Sequence, residues 1–126
     1  MAKILVVDDE KMILDIIDNL LTSEGHEITL LQKGEEAITT LCDDASCFDL
    51  MLLDLGLPEM TGIEVLEHLE EKNIQLPKTI ILTGMMEVDI YVRAKELGAC
   101  EYITKPFDIE TFVAIVNSNL APTKQD

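Results

Sequence analysis

Four apolar runs in this chain stop abruptly at polar groups. Ile4-Leu5-Val6-Val7 leads into Asp8-Asp9-Glu10, and Leu50-Met51-Leu52-Leu53 leads into Asp54. Thr79-Ile80-Ile81-Leu82 ends in Thr83, and Tyr102-Ile103 ends in Thr104-Lys105-Pro106. A continuous run of branched aliphatic residues reads as a strand buried on both faces. Such strands belong to parallel sheets sandwiched between helices. In open parallel sheets a ligand site lies beyond the carboxyl ends of the strands. If these runs share one sheet, several carboxylates, a hydroxyl and an ammonium converge there.

Between the strand-like runs the apolar spacing becomes helical. Residues 11–23 carry a stripe of Ile13, Ile16, Ile17, Leu20 and Leu21, with Gly25 as a C-terminal stop. A second strand is expected over 27–32, and a short helix from Gly34 through Leu41, followed by a polar, loop-like stretch at 43–46. The third strand covers 49–53, and the segment 55–60, with Gly56 and Pro58, is a loop. Thr61 and Glu64 have capping-box spacing ahead of a helix presenting Ile63, Leu66 and Leu69. Pro77 precedes the fourth strand. The fourth helix, 87–97, has only a weak stripe of Val88, Ile90 and Val92 and ends at Gly98. The fifth strand is short, 101–103, and Asp108 caps a last helix whose Phe112, Ile115, Val116 and Leu120 share a face. Five strands alternating with five helices predict a doubly wound α/β sandwich.

At 126 residues the chain is expected to form one domain, 1–121, with a polar tail or the start of a linker at 122–126. Only 4% of residues are aromatic against 48% hydrophobic, so the core must be aliphatic. The formal net charge of -16 argues against direct nucleic-acid binding, which needs a basic footprint, and against anionic membrane surfaces. No apolar stretch approaches the ~18 residues of a membrane span, and the N-terminal run is too short for a signal-peptide core, so a cytoplasmic protein is expected. Cys42, Cys47 and Cys100 form no compact ligand motif and are expected to be free thiols. His26 and His68 are expected at the surface or at caps.

Asp8, Asp9 and Asp54 at one sheet edge would raise one another's pKa unless a cation neutralised them. Carboxylates without His or Cys select a hard ion, and Mg²⁺ suits a site with few protein ligands and several waters. Beside such an ion Asp54 can attack phosphorus and form an aspartyl phosphate. Lys105 supplies a point charge for the phosphoryl group, and Thr83 a hydroxyl donor.

The acidic pair Asp8-Asp9, Asp54 within Leu-Leu-Asp-Leu-Gly-Leu-Pro, Gly62, Thr83-Gly84, Tyr102 and Lys105-Pro106 stand in the order and spacing of one family. Over about residues 3 to 120 the chain resembles a receiver domain of a bacterial two-component response regulator. The resemblance implies a flavodoxin-like, chemotaxis-regulator-like sheet in the order 2-1-3-4-5. It implies that Asp54 accepts a phosphoryl group from a sensor histidine kinase or histidine phosphotransfer protein. Asp9, Asp54 and the Gly56 carbonyl would bind Mg²⁺ (or Mn²⁺) directly, and Asp8 through water. Lys105 would pair with Asp54 at rest and with the phosphoryl group afterwards, across a cis bond to Pro106. Thr83 would move toward the phosphoryl group and Tyr102 inward behind it. The change would alter the surface around the fourth helix, fifth strand and fifth helix, with Met85-Met86 as adaptable side chains at the start of the fourth helix. A downstream target or output domain, and a monomer or a weak phosphorylation-dependent dimer, are further implications. Such a module promotes its own phosphorylation and dephosphorylation without being a turnover enzyme.

Gly56 departs from the larger side chain more usual two residues after the phosphoacceptor, and Met85 stands at another position facing the site's mouth. Two other readings share part of this pattern. A phosphorylation-independent interaction module would keep the fold but not need all the site residues. An aspartate-nucleophile phosphohydrolase of the haloacid-dehalogenase type needs a second aspartate two residues after the first, where this chain has Gly56.

Overall fold

The computed structural model describes residues 2–44, 47–84 and 87–120. In chain order the elements are β1 (Lys3–Val7), α1 (Lys11–Ser23), β2 (Glu27–Leu31), α2 (Gly34–Asp44) and β3 (Leu50–Asp54). They continue as α3 (Gly62–Glu71), β4 (Lys78–Thr83), α4 (Val88–Glu96), β5 (Ala99–Thr104) and α5 (Ile109–Leu120). The strands form one parallel sheet in the order β2-β1-β3-β4-β5. This is the expected doubly wound α/β sandwich, with the sheet order that the resemblance implied.

The unbroken apolar runs follow from burial on both faces. Successive side chains of a strand point to opposite sides. Leu5, Val7, Met51, Leu53 and Ile81 join the cluster under α2, α3 and α4. Ile4, Val6, Leu50, Leu52, Ile80 and Leu82 join the cluster under α1 and α5, around Phe112. A polar side chain inside either run would have to be desolvated, which costs free energy unless a partner is supplied.

Local signals act where the sequence placed them. Thr61 and Glu64 make a reciprocal capping box at the start of α3. Asp108 carboxylate oxygens accept from the backbone N–H groups of Glu110 and Thr111 at 3.3 and 3.2 Å. Gly25 and Gly98, the two expected helix stops, sit at φ 90° and 115°, a backbone region that side chains disfavour.

Several expectations need correction. α2 runs on to Asp44, so Asp43 and Asp44 are helical rather than loop. α1 is rotated from the expected stripe: Leu14, Ile17 and Leu21 are buried, while Ile16 is 38% exposed. In α3 the buried set includes Val65, and Ile63 is only partly covered. β5 begins two residues early, at Ala99. Its register shifts between Thr79 and Ile80, which pair with Ala99 and Glu101, leaving Cys100 without a facing residue. That irregularity, and the small Ala99, hid the strand's start. Met85, Met86 and the tail from residue 121 lie outside the described residues.

Candidate functional site

Register brings the polar ends of the strands together. β1 lies between β2 and β3, and Val7 pairs with Leu31 on one side and Leu53 on the other. The residues that follow, Asp8 and Asp54, therefore emerge side by side at the carboxyl edge. β2 and β3 lie on opposite sides of β1, so this is the topological switch point, where open α/β sheets place their ligands. Asp54 pairs with Leu82, Thr83 with Thr104, and Lys105 follows directly.

Asp8 is wholly buried and Asp54 is 5% exposed. The Lys105 ammonium lies 2.7 Å from Asp8 Oδ2, 3.0 Å from Glu10 Oε1 and 3.3 Å from Asp54 Oδ2. The remaining oxygens are also held. Asp8 Oδ1 accepts from the Glu10 N–H at 2.8 Å, and Asp54 Oδ1 accepts from the Gly56 N–H at 2.9 Å. Burial pushes the Asp8 carboxyl above its ordinary range, opposed by the hydrogen bonds from Lys105 and from the Glu10 backbone. Burial also works against the Lys105 charge. Its hydrogen bonds to Asp8 and Glu10, with the neighbouring Asp54 and Asp8 charges, outweigh that and hold the ammonium above its ordinary value.

Of the expected site residues, Asp8, Asp54 and Lys105 are in direct contact. Asp9 is exposed and lines the mouth of a cleft of about 540 Å³ with Glu10, Ile13, Asp54, Gly56, Gly84, Lys105 and Pro106. Glu10 was not among the expected residues, yet it takes the place nearest the other two carboxylates. Its backbone is extended, at φ -87° and ψ 108°. A bend at Asp9 and the hydrogen bond from the Glu10 N–H to Asp8 Oδ1 bring the Glu10 carboxylate to the ammonium that Asp8 also holds.

Thr83 is 5% exposed at the end of β4, and its carbonyl accepts from the Lys105 N–H at 2.7 Å. Tyr102 points outward, 38% exposed, with its ring edge-on to Tyr91 at 4.9 Å. Lys105-Pro106 is cis, as the resemblance implied. Gly62 has a steric reason to be glycine: a Cβ there would lie 2.6 Å from the Asp54 carbonyl oxygen and 2.9 Å from Leu55 Cα. Among the described residues Gly56 has none, since a Cβ would meet only Asp54 Oδ1, at 3.6 Å.

One oxygen from each of Asp8, Glu10 and Asp54 lies within 4.8 Å of the others. The donors are hard carboxylates gathered on a single ammonium, an arrangement that fits a small divalent cation such as Mg²⁺. Among the described residues no helix is long and apolar enough to cross a membrane. The three cysteines are free, with Cys42 and Cys100 exposed.

Comparison with known proteins agrees with this geometry. The response regulator SaeR of Staphylococcus aureus is 33% identical over 125 residues, which is 99% of this chain and 53% of that protein. The chain thus spans about half the length of the curated relatives it matches. A CheY-like receiver domain from Methanospirillum hungatei superposes with a TM-score of 0.84 at 30% identity, covering 95% of this chain and 94% of that one. The non-phosphorylated HemR receiver domain from Leptospira biflexa gives a TM-score of 0.86 at 26% identity, covering 100% of this chain and 99% of that one. The pattern of the response regulator receiver domain matches residues 4–117, and the chain belongs to that family.

Proposed function

We propose that this chain is the phosphoacceptor switch of a two-component phosphorelay, with Asp54 as the residue that receives the phosphoryl group. The observation that carries this reading is the setting of Asp54. Its carboxylate is nearly buried but opens into a cleft, 3.3 Å from a lysine ammonium and beside two further acids.

A carboxylate oxygen of Asp54 attacks the phosphorus of a phosphohistidine on a sensor kinase or phosphotransfer protein. The new O–P bond forms as the P–N bond breaks, and the electron pair stays on the imidazole nitrogen. Asp9, Asp54 and the Gly56 carbonyl, with Asp8 through water, would hold Mg²⁺ or Mn²⁺, which would supply positive charge for the phosphoryl oxygens. Lys105 supplies a second positive charge, and the Thr83 hydroxyl offers a hydrogen bond. The family's members are typically signalling modules rather than turnover enzymes, and this reading keeps that role. It places the chain in the cytoplasm with its phosphodonor, residues 1–121 forming the receiver.

The readout side is supported by packing. Within α4 only Ala94 is buried, whereas Val88 and Val92 are 76% and 49% exposed. The helix is tied outward by Arg93 Nη2 to Glu67 Oε2 at 3.1 Å, and by the Tyr91–Tyr102 contact. A helix so lightly anchored can be shifted by the ~-2 charge that a phosphoryl group adds. Inward movement of Tyr102 would break its contact with Tyr91 and couple the site to α4.

Incubation with a radiolabelled phosphohistidine donor protein and Mg²⁺ tests the reading. Label that moves to wild type but not to Asp54→Asn supports it. Label retained by Asp54→Asn overturns it.

A further inference from the structure

Lys105 has no hydrogen to spare. An ammonium carries three donors and no acceptor. Here three carboxylates lie around it, Asp8 at 2.7 Å, Glu10 at 3.0 Å and Asp54 at 3.3 Å. A phosphoryl oxygen can therefore gain Lys105 only if one of those contacts is given up.

The three partners differ in what release would cost. Asp8 is wholly buried, so releasing it would leave a carboxylate unpaired away from water. Asp54 is the group that becomes phosphorylated, so its contact converts into the new one. The Glu10 side chain is 60% exposed and can return to water cheaply. Nor does Glu10 have a second task at the start of α1. It occupies the N-cap position but makes no side-chain capping bond.

We propose that Glu10 is a positioning residue that occupies one Lys105 hydrogen in the unphosphorylated protein and yields it to a phosphoryl oxygen. The inference rests on the phosphoacceptor reading of Asp54 and deepens it. Glu10 acts through Lys105 and sets how readily the site accepts a tetrahedral anion. Its carboxylate stands where the incoming anion needs a donor, so it competes by contact and not merely by adding to the overall negative charge.

Two substitutions separate contact from charge. Glu10→Ala removes both the contact and the charge. Glu10→Asp keeps the charge but is one methylene shorter. The probe is beryllofluoride, a phosphoryl mimic, titrated at saturating Mg²⁺ and followed by fluorine NMR, alongside the phosphorylation rate with phosphoramidate. Both variants are expected to bind beryllofluoride about two- to fivefold more tightly than wild type, the range of an exposed ion pair. Both should be phosphorylated faster by a similar factor. Glu10→Asp behaving as wild type while Glu10→Ala gains would overturn the proposal in favour of bulk charge. Unchanged or weaker binding in both would overturn it outright. Wild-type labelling at Asp54 keeps these failures distinct from failure of the phosphoacceptor reading, since loss of that labelling removes both.

Discussion

Lys105 Nζ sits closer to Asp8 Oδ2, at 2.7 Å, than to Asp54 Oδ2, at 3.3 Å. The lysine is thus first the counterion of a wholly buried carboxylate, and Asp54 is the most distant of its three carboxylate neighbours. Lys105→Met should lower stability, because Asp8 is then left buried without its cation. A loss of about 1–3 kcal/mol in chemical unfolding is expected. Adding Asp8→Asn to Lys105→Met should recover part of it. Equal stability of wild type and Lys105→Met would contradict this assignment.

Gly62 packs directly under the strand end that carries Asp54. Gly62→Ala places a Cβ 2.6 Å from the Asp54 carbonyl oxygen, so the backbone must shift. Overpacking of this kind costs about 1–3 kcal/mol. The phosphorylation rate should fall with it, whereas Gly84→Ala, with nothing among the described residues within 4 Å of its added Cβ, should leave stability unchanged. Thermal melts and phosphoramidate labelling of the two variants check the contrast.

Asp108 gives the fold a pH dependence remote from the site. Hydrogen bonds from the Thr111 hydroxyl and from the Thr111 and Glu110 N–H groups hold its carboxyl below its ordinary value. A depressed folded-state pKa contributes stability above the unfolded value, near ~4, and loses it as pH falls through the folded one. Asp108→Asn keeps an acceptor for the cap but does not titrate. The melting temperature of wild type should therefore exceed that of the variant near neutrality, and the two should converge on acidification. A constant difference across the range would contradict the assignment.

The Tyr91–Tyr102 contact should report switching. With beryllofluoride and Mg²⁺ bound, the ring resonances of both tyrosines should shift together in NMR spectra, and Thr83→Ala should suppress the shift at Tyr102. Tyrosine signals that ignore the ligand would disconnect the site from α4.

The sheet and its edge were legible because burial on both faces leaves long aliphatic runs, and strand ends mark themselves with charge. Asp8, Asp54 and Lys105 could be placed from those ends together with the family's spacing. Other features were hidden for local reasons. α1 carries apolar residues on more than one face, so Ile16 and Leu14 exchanged roles. β5 begins with Ala99 and an unpaired Cys100, neither of which advertises a strand. Glu10 lies beyond the strand end, and what brings it to Lys105 is the bend at Asp9 with the Glu10 N–H bonded to Asp8 Oδ1, neither of which an apolar pattern marks.

The central claim is most directly tested by intact mass spectrometry after incubation with phosphoramidate and Mg²⁺. Wild type should gain the mass of one phosphoryl group, dependent on the metal and lost on chelation before labelling, while Asp54→Asn should gain none. An unlabelled wild type, or equal labelling of Asp54→Asn, would contradict the account.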